Sequence, residues 1–583
     1  MEKKASLDEI RHSLAHILAA AVLKKYPDTQ LGIGPVIENG FYYDFKFTRP
    51  ISEADLGEFE KEMRQLVKAS LPFSGKKITP VQAGKTFKGQ PFKLDLIKEF
   101  TKDKKPLTLY TTGDVFTDLC RGGHVKNTSE INPDSFKLTK LAGAYWRGDE
   151  KNPMLTRIYA VAFNTKQELD AHLLMLAEAE KRDHKKLGTD LDLFVFSPLV
   201  GPGLPLWTPK GTILRDTLDN FVWELREKNG YERVDIPHIA KKALYEKSGH
   251  WEKFRDDIFT IMSREGHTFV LKPMNCPHHT QIYAAKPRSY KELPIRYANT
   301  TKVYRDEQTG ELAGLTRVRS ITQDDAHVFC REIDIENELG AIWNMISEFY
   351  AKFGFTLAVR LSFHDPKNPK NYLGTPALWK KSEATLTKLA HSKGIPATEA
   401  RGEAAFYGPK VDFIAKDSLG RDWQVATIQL DLNLPERFDL TCTNETGKSE
   451  RIVMIHAAIM GSLERFIATL IEHTAGVFPT WVAPIQAIIV PISEKQKEYA
   501  QKVFAALKTH GVRVRINDAN ETLGKRIRES EMQKIPYILV VGDKEIQAES
   551  IAVRRYGKGD LGVHTINNFI EKIVSEIKNK KAA

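Results

Sequence analysis

The sequence predicts an α+β protein built from several domains. Its 583 residues suggest about four units at roughly 150 residues each. In the region 187–484, apolar and polar residues alternate over many short runs, which is typical of an antiparallel sheet with helices. In the region 485–583, strand-like runs such as YILVVG alternate with helix-like ones, which predicts a small α/β domain.

Two further segments precede these regions. Residues 1–163 mix helical and strand patterns with turn clusters such as GIGPVIENG. Residues 164–186 are predicted to form one long amphipathic helix that connects two domains. The apolar residues that recur at helical spacing in this segment are Leu169, Leu173, Leu174, Leu176 and Ala177. A proline-marked boundary from Thr480 to Pro484 precedes the last domain.

Composition excludes several classes of protein. Hydrophobic residues make up 42% of the chain and charged residues 28%, unlike a disordered, collagen-like or membrane-spanning protein. No apolar run approaches the ~18 residues of a transmembrane helix, and the first residues lack the apolar segment of a signal peptide. The four cysteines are far apart in the chain, so we expect no disulfide framework and a cytoplasmic location.

Positive charge is concentrated towards the end of the chain. The formal net charge is +11, and residues 484–583 hold 18 Lys and Arg against 12 Asp and Glu, an excess of 18 − 12 = +6. Such a domain could contact a phosphate backbone. From charge alone, a basic solvated surface is the preferred interpretation.

The stretch from Tyr304 to Phe329 is the strongest chemical signal. A strand is predicted to end near Arg305, and a second strand to return from about Leu315. If that strand is continuous, one face carries two cations, an amide, a carboxylate and an imidazole: Arg317, Arg319, Gln323, Asp325 and His327. Two forked guanidinium groups can hold a polyphosphate. The alternative is a solvated charged strand.

Two other stretches carry weaker signals. In RDWQVATIQLD, alternation places Thr427, Gln429 and Asp431 on one face of a strand. In GSLERF, Ser462 is a candidate N-cap of a helix, and Arg465 would lie on the same face.

Histidines and cysteines could form two sites. Cys276, His327 and His456 do not have the spacing of a zinc finger, and without further context they would be unrelated residues. HSLAH places His12 and His16 on one helix face, while Cys120 and His124 of CRGGH lie on a glycine loop. Those four could form a closed zinc site or, with Asp118 nearby, a hydrolytic pocket.

From about residue 10 onwards, the chain resembles the bacterial threonyl-tRNA synthetases, which are class II aminoacyl-tRNA synthetases. The resemblance is carried by the motifs HSLAH, GPVIENGFYYD, CRGGH, LAGAYWRGD, KRDHKKLG, KPMNCP, YRDE…RVRSITQDDAH, FYGPK, GSLERF, FPTWVAP and GDKEI. It implies an antiparallel class II catalytic domain over 187–484, an editing domain over 1–163 and an anticodon-binding domain over 485–583. The implied function is threonine–tRNA ligation with hydrolytic editing of seryl-tRNA(Thr).

The resemblance also implies a role for each residue of the catalytic domain. Arg305 would contact the α-phosphate of ATP, and Glu307 would contact the adenine. Arg317 and Arg465 would hold the polyphosphate, and Gln424 would also contact the nucleotide. Cys276, His327 and His456 would bind one Zn²⁺ per subunit, and Mg²⁺ would accompany ATP. The residues implied for threonine or its adenylate are Gln323, Asp325, Tyr407, Lys410, Gln429 and Ser462. Pro237 matches the motif-one proline near the interface of a homodimer.

Substrate chemistry explains why such an enzyme needs two sites. Valine has nearly the same shape as threonine, and shape alone separates such pairs by about 1–3 kcal/mol, whereas a zinc ion with open positions recognises the amino and hydroxyl groups. Serine keeps both groups, so its product must be removed by editing. The residues implied for that site are His12, His16, Lys93, Asp118, Cys120 and His124, with Tyr43 at its edge. We expect the editing site to work without a metal.

The basic C-terminal region is then expected to bind the anticodon arm of tRNA(Thr). Asn520, Glu545 and Arg554 match positions that contact anticodon bases. Lys525, Arg526 and Arg555 are expected to contact the RNA backbone.

The chain departs from the family pattern in several places. Only eleven residues precede His12, so the small ubiquitin-like domain that usually begins the family is expected to be missing. Gly123 stands where proline is usual, His278 and Ala426 where glycine is usual, and Ala457 where arginine is common. His278 is expected on the surface.

Two other functions would fit parts of the sequence. One is a synthetase-like protein that no longer charges tRNA, which the retained Arg305, Glu307 and Arg465 disfavour. The other is a zinc hydrolase, which the absence of an HExxH motif disfavours.

Overall fold

A computed structural model describes residues 5–582 and divides the chain into two compact units. One unit extends to Glu178 and the other begins at Ala179. Among the residues that the structure describes, no helix combines the length and the apolar composition needed to cross a bilayer.

The first unit combines two antiparallel sheets with helices. The larger sheet has the strand order Gln30–Leu31, Gly40–Lys46, Met154–Ala162, Phe136–Tyr145, with Val36–Ile37 paired to the second of these. The smaller sheet has the order Phe73–Ile78, Leu107–Thr112, Phe116–Leu119. The helices are Leu7–Lys25, Glu53–Lys68, Pro80–Thr86, Pro91–Lys102 and Lys166–Lys181, the last of which continues into the second unit.

Capping residues fix where these helices begin. Ser6 and Glu9 form a reciprocal capping box at the start of Leu7–Lys25, and Thr79 and Gln82 form another before Pro80. The apolar face of Leu7–Lys25 packs in the core against the larger sheet, with Leu14 and Leu18 fully buried. This packing aligns the opposite part of the helix, which carries His12 and His16, with the smaller sheet.

The connector differs from the single helix predicted over 164–186. The first helix ends at Lys181, and a second one runs over His184–Asp190. The break occurs because the Asp183 side chain accepts a hydrogen bond from the Lys185 N–H and caps the new helix. His184 Nδ1 then lies 2.6 Å from Glu472 Oε1 in the interior of the second unit.

The second unit contains an eight-stranded sheet. Its strand order is Glu232–Arg233, Ile295–Tyr304, Ser320–Cys330, Val453–Ser462, Asp422–Asp431, Lys410–Lys416, Thr356–Phe363, Ala397–Arg401. The outermost pair at each edge is parallel, and all other pairs are antiparallel, as the alternating pattern predicted. One face of the sheet is covered by helices that build the main core, among them Pro209–Lys228, Ile335–Ala351, Pro376–Ser392 and Leu463–Thr474.

The remaining elements of the second unit before residue 485 are short or peripheral. The other strands before residue 485 are Phe194–Val195, Leu206–Trp207, Ile239–Lys241, Thr260–Met262, Thr268–Leu271, Thr441–Thr443 and Ser449–Arg451. The other helices are Lys242–Ser248, His250–Phe254, Cys276–Ala284 and Asn433–Arg437. The helix Cys276–Ala284 is important for the site because it brings a cysteine to the open face of the large sheet.

A five-stranded α/β domain follows residue 485. Its strand order is Val514–Ile516, Ala487–Pro491, Tyr537–Val541, Ser550–Arg555, Gly559–Thr565, with the first two pairs parallel and the others antiparallel. Its helices are Lys497–Thr509, Leu523–Met532, Asp543–Gln547 and Ile566–Lys578. The Arg513 guanidinium donates to the carbonyls of Trp481 and Ala483, which ties the domain to the segment that leads into it.

Candidate functional site

The register of the large sheet places predicted site residues in rows. Residues that lie directly opposite on adjacent strands point to the same face. One row crosses four strands through Lys410, Gln429, His456 and His327. The next row, two residues further along, contains Asp412, Thr427, Ala458 and Asp325. The polar face of the sheet is therefore built by strand pairing, and it is the face opposite the main core.

Three side chains on this face form a candidate metal site. Cys276 lies in the first turn of its helix, and His327 and His456 are cross-strand partners. Their ligand atoms all lie within 4.8 Å of one another, and all three residues are buried. Burial raises the pKa of the Cys276 thiol and lowers the pKa of His327. One thiol and two imidazoles are a donor set that suits zinc and leaves positions free for a substrate.

Further residues surround this cluster: Asp431, which the sequence placed on a strand face without a role, and two histidines that the sequence did not single out. Asp431 Oδ2 lies 2.9 Å from His456 Nε2, and His279 Nδ1 lies 2.7 Å from His327 Nδ1. His250 Nε2 lies 3.6 Å from the Cys276 sulfur. The spacing of His279, three residues after Cys276 on one helix, was a signal that could have identified it.

The residues predicted for threonine are placed around the cluster. The Tyr407 ring stacks on the His456 ring with centroids 4.7 Å apart, and its hydroxyl donates to Gln429 Oε1. Asp325 accepts a hydrogen bond of 3.1 Å from Asn275 Nδ2, and burial raises its pKa. Gln323 and Ser462 are cross-strand partners, and Ser462 caps the following helix by accepting from the Arg465 N–H, as the sequence predicted.

Three arginines converge beside these residues on a cavity of about 360 Å³. Burial lowers the pKa of Arg305 and of Arg465, and for Arg465 the positive charges of Arg305 and Arg317 lower it further. Arg317 is exposed and is paired with Glu307 at 2.7 Å. Closely spaced guanidinium groups that repel one another form a binding site for an anion with several charges.

The cavity gathers nine of the predicted residues. They are Arg305, Glu307, Arg317, Gln323, Lys410, Gln424, Gln429, Ser462 and Arg465. Asp325 and Tyr407 lie outside its lining and are almost fully buried, next to the cysteine and histidine cluster.

Arg319 does not share the face predicted for it. The strand begins only at Ser320, and the Arg319 guanidinium donates to the carbonyls of Glu307 and Pro202. Its N–H also donates to the Gly203 carbonyl. These main-chain bonds hold Arg319 in the loop, so the predicted continuous face begins at Gln323. Of the two arginines predicted on that face, Arg317 lines the cavity and Arg319 does not.

The residues that depart from the family pattern have different surroundings. Ala457 packs in the main core, on the opposite side of the strand from His456. Ala426 also packs in the core and borders the cavity. The expectation that His278 lies on the surface is wrong, because its side chain is 8% exposed and its ring lies against Tyr245.

The first unit contains a second cluster of cysteine and histidine side chains. The ligand atoms of His12, His16, Cys120 and His124 lie within 4.8 Å of one another. The Cys120 sulfur is 3.2 Å from His124 Nε2 and 3.4 Å from His12 Nε2. Burial raises the pKa of the thiol to about 11. Burial, followed by repulsion from His16 and His12, lowers the pKa of His124 to about 2.

A buried ion pair lies beside this cluster. Lys93 Nζ is 2.5 Å from Asp118 Oδ1, and both side chains are almost fully buried. The Tyr43 hydroxyl donates to Asp118 Oδ2 at 2.6 Å and accepts from Lys93 Nζ at 3.1 Å. Tyr43 is therefore fully buried and hydrogen-bonded to both members of the ion pair, which corrects the expectation that it lies at the edge of the site.

A cavity of about 430 Å³ opens next to both groups. Six of the seven predicted editing residues line it: His12, His16, Tyr43, Lys93, Asp118 and Cys120. His124 lies behind them, stacked on Phe73 with ring centroids 4.9 Å apart. Apolar side chains such as Leu96 and Phe100 form the rest of the wall. The arrangement combines imidazoles, a thiol and a buried cation beside an apolar wall, which suits proton transfer in a hydrolytic reaction.

The loop that carries His124 has a backbone that proline cannot adopt. Gly122 and Gly123 have φ values of +93° and +85°. Proline is restricted to φ near −65°. The glycine at position 123 is therefore required by the path of this loop.

The three residues predicted to read the anticodon lie on different elements of the last domain. Asn520 lies in the loop before the helix Leu523–Met532 and borders a cavity of about 250 Å³. Glu545 lies in the helix Asp543–Gln547, where its carboxylate accepts from the Gly542 N–H. Arg554 is in the strand Ser550–Arg555. Within the described residues, no hydrogen bond or ion pair joins any two of them.

Two of the three predicted contacts to the RNA backbone are used inside the domain. The Arg526 guanidinium is buried and donates to the carbonyls of Asn517 and Ile492. Arg555 is paired with Glu576 at 2.7 Å and donates to the Tyr537 hydroxyl. Both side chains therefore have internal partners, and their contacts to the RNA backbone stay a prediction. Lys525 is exposed and forms an ion pair with Glu521, so it can exchange partners with solvent.

Three protein-family models match the chain. The tRNA synthetase class II core domain (G, H, P, S and T) matches residues 259–474, and the anticodon binding domain matches residues 486–576. The threonyl and alanyl tRNA synthetase second additional domain matches residues 107–159. These ranges contain the cysteine of CRGGH, the three arginines and the last sheet.

Curated relatives match over nearly the full chain. The threonine–tRNA ligase of Cytophaga hutchinsonii is 47% identical over 577 residues, covering 98% of this chain and 89% of that protein. A threonine–tRNA ligase of Thermus thermophilus is 46% identical over 587 residues, with 98% and 89% covered. Among solved structures, the RNA binding domain of threonyl-tRNA synthetase from Cryptosporidium parvum is 37% identical with a TM-score of 0.65, covering 68% of this chain and 98% of that one.

The lowered pKa of His124 in the cysteine and histidine cluster makes the stability of the first unit depend on pH. A histidine whose pKa is lower in the folded than in the unfolded state stabilises the fold fully above about pH 6.5, and this contribution is lost as the pH falls below that value. For His124, with a folded pKa of about 2, the loss at pH 5 is on the order of 2 kcal/mol.

We therefore expect the helix Leu7–Lys25 to open more readily at pH 5 than at pH 8, and His124→Gln to reduce that difference. Urea-dependent hydrogen exchange, read by mass spectrometry on peptides of this helix and corrected for the intrinsic pH dependence of exchange, measures it. Equal pH dependence in both proteins would contradict the assignment of a neutral, buried His124.

Proposed function

The chain belongs to the threonine–tRNA ligases, and on that premise we propose that it activates L-threonine with ATP and transfers the threonyl group to tRNA(Thr). The observation that carries the proposal is the position of three converging guanidinium groups directly beside the buried Cys276, His327 and His456 cluster. A polyphosphate site and an amino-acid site on one sheet face are what formation of an aminoacyl adenylate requires.

Activation joins threonine to the α-phosphate of ATP. A carboxylate oxygen of threonine attacks the α-phosphorus, and the bond from that phosphorus to the bridging oxygen of pyrophosphate breaks. We assign Arg305 to the α-phosphate, and Arg317 and Arg465 to the departing pyrophosphate, because these cations line the cavity on which negative charge develops. ATP enters as its magnesium complex.

Glu307 and Gln424 are assigned to the nucleotide. Glu307 is held by Arg317 at 2.7 Å, and Gln424 Nε2 donates to Asp412 Oδ1 at 2.9 Å. Both side chains line the cavity. Because each contacts a polar neighbour, each is oriented before ATP binds. Orientation before binding reduces the entropy that is lost when the complex forms.

Threonine is selected by the residues beside the cluster. Cys276, His327 and His456 would hold a zinc ion, which supplies open coordination positions for the amino and hydroxyl groups of threonine. Asp325 is buried and would be left without a hydroxyl partner by valine, which costs about 1–3 kcal/mol. The residues assigned to the rest of the amino acid or its adenylate are Gln323, Tyr407, Lys410, Gln429 and Ser462.

Transfer to tRNA completes the reaction. A ribose hydroxyl at the 3′ end of tRNA attacks the threonyl carbonyl, and AMP leaves. We propose that the last domain reads the anticodon through Asn520, Glu545 and Arg554, and that two copies associate near Pro237 as a homodimer. All four cysteines are free thiols, which fits the reducing cytoplasm that we propose as the location.

The first unit is proposed to hydrolyse seryl-tRNA(Thr). The cluster around Cys120 positions a water molecule, whose oxygen attacks the seryl carbonyl as its proton passes to a neutral imidazole. The ester bond to the ribose oxygen then breaks, and that oxygen takes a proton. The buried Lys93 provides a fixed positive charge near the negative charge that forms on the carbonyl oxygen.

Replacement of Arg465 tests the activation site. We expect Arg465→Ala to lower kcat/KM for threonine-dependent ATP–pyrophosphate exchange by roughly 100-fold or more, since one fixed charge at the transition state is lost. Arg401→Ala, at an exposed arginine outside the cavity, is the matched control and should keep wild-type exchange. Absence of exchange in the zinc-replete wild-type chain would favour a protein that no longer charges tRNA, or a zinc hydrolase.

Metal content tests the zinc assignment and the proposed metal-free editing together. We expect about one zinc per purified chain by elemental mass spectrometry, almost none in Cys276→Ala, and about one in Cys120→Ala. Cys330→Ala, at a buried cysteine outside both clusters, is the control. Zinc that disappears with Cys120 instead would place a metal in the editing site and contradict its proposed metal-free chemistry.

A further inference from the structure

Ser13 lies between the two histidines of the HSLAH motif and is fully buried. Its hydroxyl has three partners in the first unit. It is 2.8 Å from the Glu9 carbonyl oxygen, 3.1 Å from the Val125 nitrogen and 3.2 Å from His124 Nδ1. The side chain thus connects the helix Leu7–Lys25 with the loop that carries Cys120 and His124.

The single proton of the Ser13 hydroxyl determines the direction of each of these hydrogen bonds. A serine hydroxyl has one proton to donate and two lone pairs that accept. A carbonyl oxygen only accepts, so the hydroxyl proton points to Glu9. A backbone N–H only donates, so Val125 uses one lone pair. The remaining lone pair faces His124, and the imidazole must therefore be the donor from Nδ1.

The consequence for His124 concerns its other nitrogen. A neutral imidazole carries one proton, and the hydrogen bond at one nitrogen decides which tautomer is present. With the proton on Nδ1, the Nε2 lone pair is free, and Nε2 lies 3.2 Å from the Cys120 sulfur. The histidine is neutral at pH 7, because burial lowers its pKa to about 2.

We propose that Ser13 is a positioning residue that holds His124 in the tautomer protonated at Nδ1, so that the Nε2 lone pair faces the Cys120 thiol in the wall of the editing cavity. This inference rests on the editing function proposed for the first unit. In hydrolysis, Nε2 accepts a hydrogen bond from the Cys120 thiol and so orients this group beside the attacking water, whose proton passes to a neutral imidazole that lines the cavity and then to the departing ribose oxygen. Without Ser13, His124 could place a proton on Nε2, and the acceptor would be lost.

The tautomer of His124 can be measured in the full chain. In protein labelled with ¹⁵N-histidine, long-range ¹H–¹⁵N correlation NMR distinguishes Nδ1–H from Nε2–H, and His124→Gln assigns the signal. We expect Nδ1–H in the wild-type chain and in Ser13→Thr, and a mixture or Nε2–H in Ser13→Ala. The wild-type measurement needs no variant, so a Ser13→Ala chain that fails to fold does not remove the test.

Seryl-tRNA(Thr) hydrolysis provides the second measurement. We expect Ser13→Ala to lower the hydrolysis rate by about 10–100-fold, the range seen when the partner that fixes the tautomer of a metal-bound histidine is removed. Ser13→Thr should keep most of the rate. Ser135→Ala removes another buried serine hydroxyl of the same unit, one that donates to the Asn132 carbonyl, and should leave the rate unchanged.

Three outcomes would overturn the proposal. They are Nε2–H in the wild-type chain, an unchanged tautomer in Ser13→Ala, and a changed tautomer with an unchanged hydrolysis rate. A wild-type chain that does not hydrolyse seryl-tRNA(Thr) would contradict the editing function instead, and NMR would still decide the role of Ser13.

Discussion

The buried carboxylate of Asp324 holds together the elements on which the proposed activation site depends. It accepts three backbone N–H groups, from Ile459 and Met460 at 2.9 and 3.0 Å and from Gly461 at 2.8 Å. The Arg226 guanidinium lies 3.4 Å from the same carboxylate and 2.7 Å from the Asp324 carbonyl oxygen. Burial raises the pKa of Asp324 to about 6, so these partners are what keep it ionised at neutral pH.

This interaction explains an irregularity in the sheet. The register between Ser320–Cys330 and Val453–Ser462 shifts between Gln323 and Asp325, because the chain at 459–461 wraps around the carboxylate. The bulge places Ser462 opposite Gln323 and starts the helix that carries Arg465. A second connection runs in parallel, since Thr322 donates to Glu464 through both its N–H and its hydroxyl. The amino-acid and phosphate parts of the cavity therefore share one rigid support.

Much of the site could be predicted from local pattern, and the exceptions have physical reasons. Alternation along a strand correctly placed Asp325 and His327 on one face, and helical spacing placed His12 beside His16. The alternating pattern gave the wrong position for Arg319, which lies in the loop before the strand. Its side chain is held there by hydrogen bonds to main-chain carbonyls, which an alternating pattern does not reveal. The connector helix breaks at Asp183 for a similar reason, since its cap depends on a local hydrogen bond.

Other features depend on residues that are distant in sequence. Asp324 and Asp325 are adjacent and chemically identical, yet one supports the main chain and the other faces the cluster. Their roles differ because the N–H groups of residues 459–461 donate to the carboxylate of Asp324 and not to that of Asp325. In the same way, His279, Ser13 and the burial of Tyr43 follow from contacts across 48, 111 and 75 residues. The family resemblance supplied what periodicity could not, namely which of the scattered cysteines and histidines belong together.

The dependence of activation on Asp324 is tested most directly by the variant Asp324→Asn. Asparagine keeps the shape of the side chain but replaces one oxygen with a donor group, so it cannot accept all the N–H groups that point at it. Threonine-dependent ATP–pyrophosphate exchange should fall by about 100-fold or more. Native tryptophan fluorescence, to which the second unit contributes seven of the eight tryptophans, would verify that this unit is still folded. Wild-type exchange by a folded Asp324→Asn chain would contradict the central role given to this carboxylate.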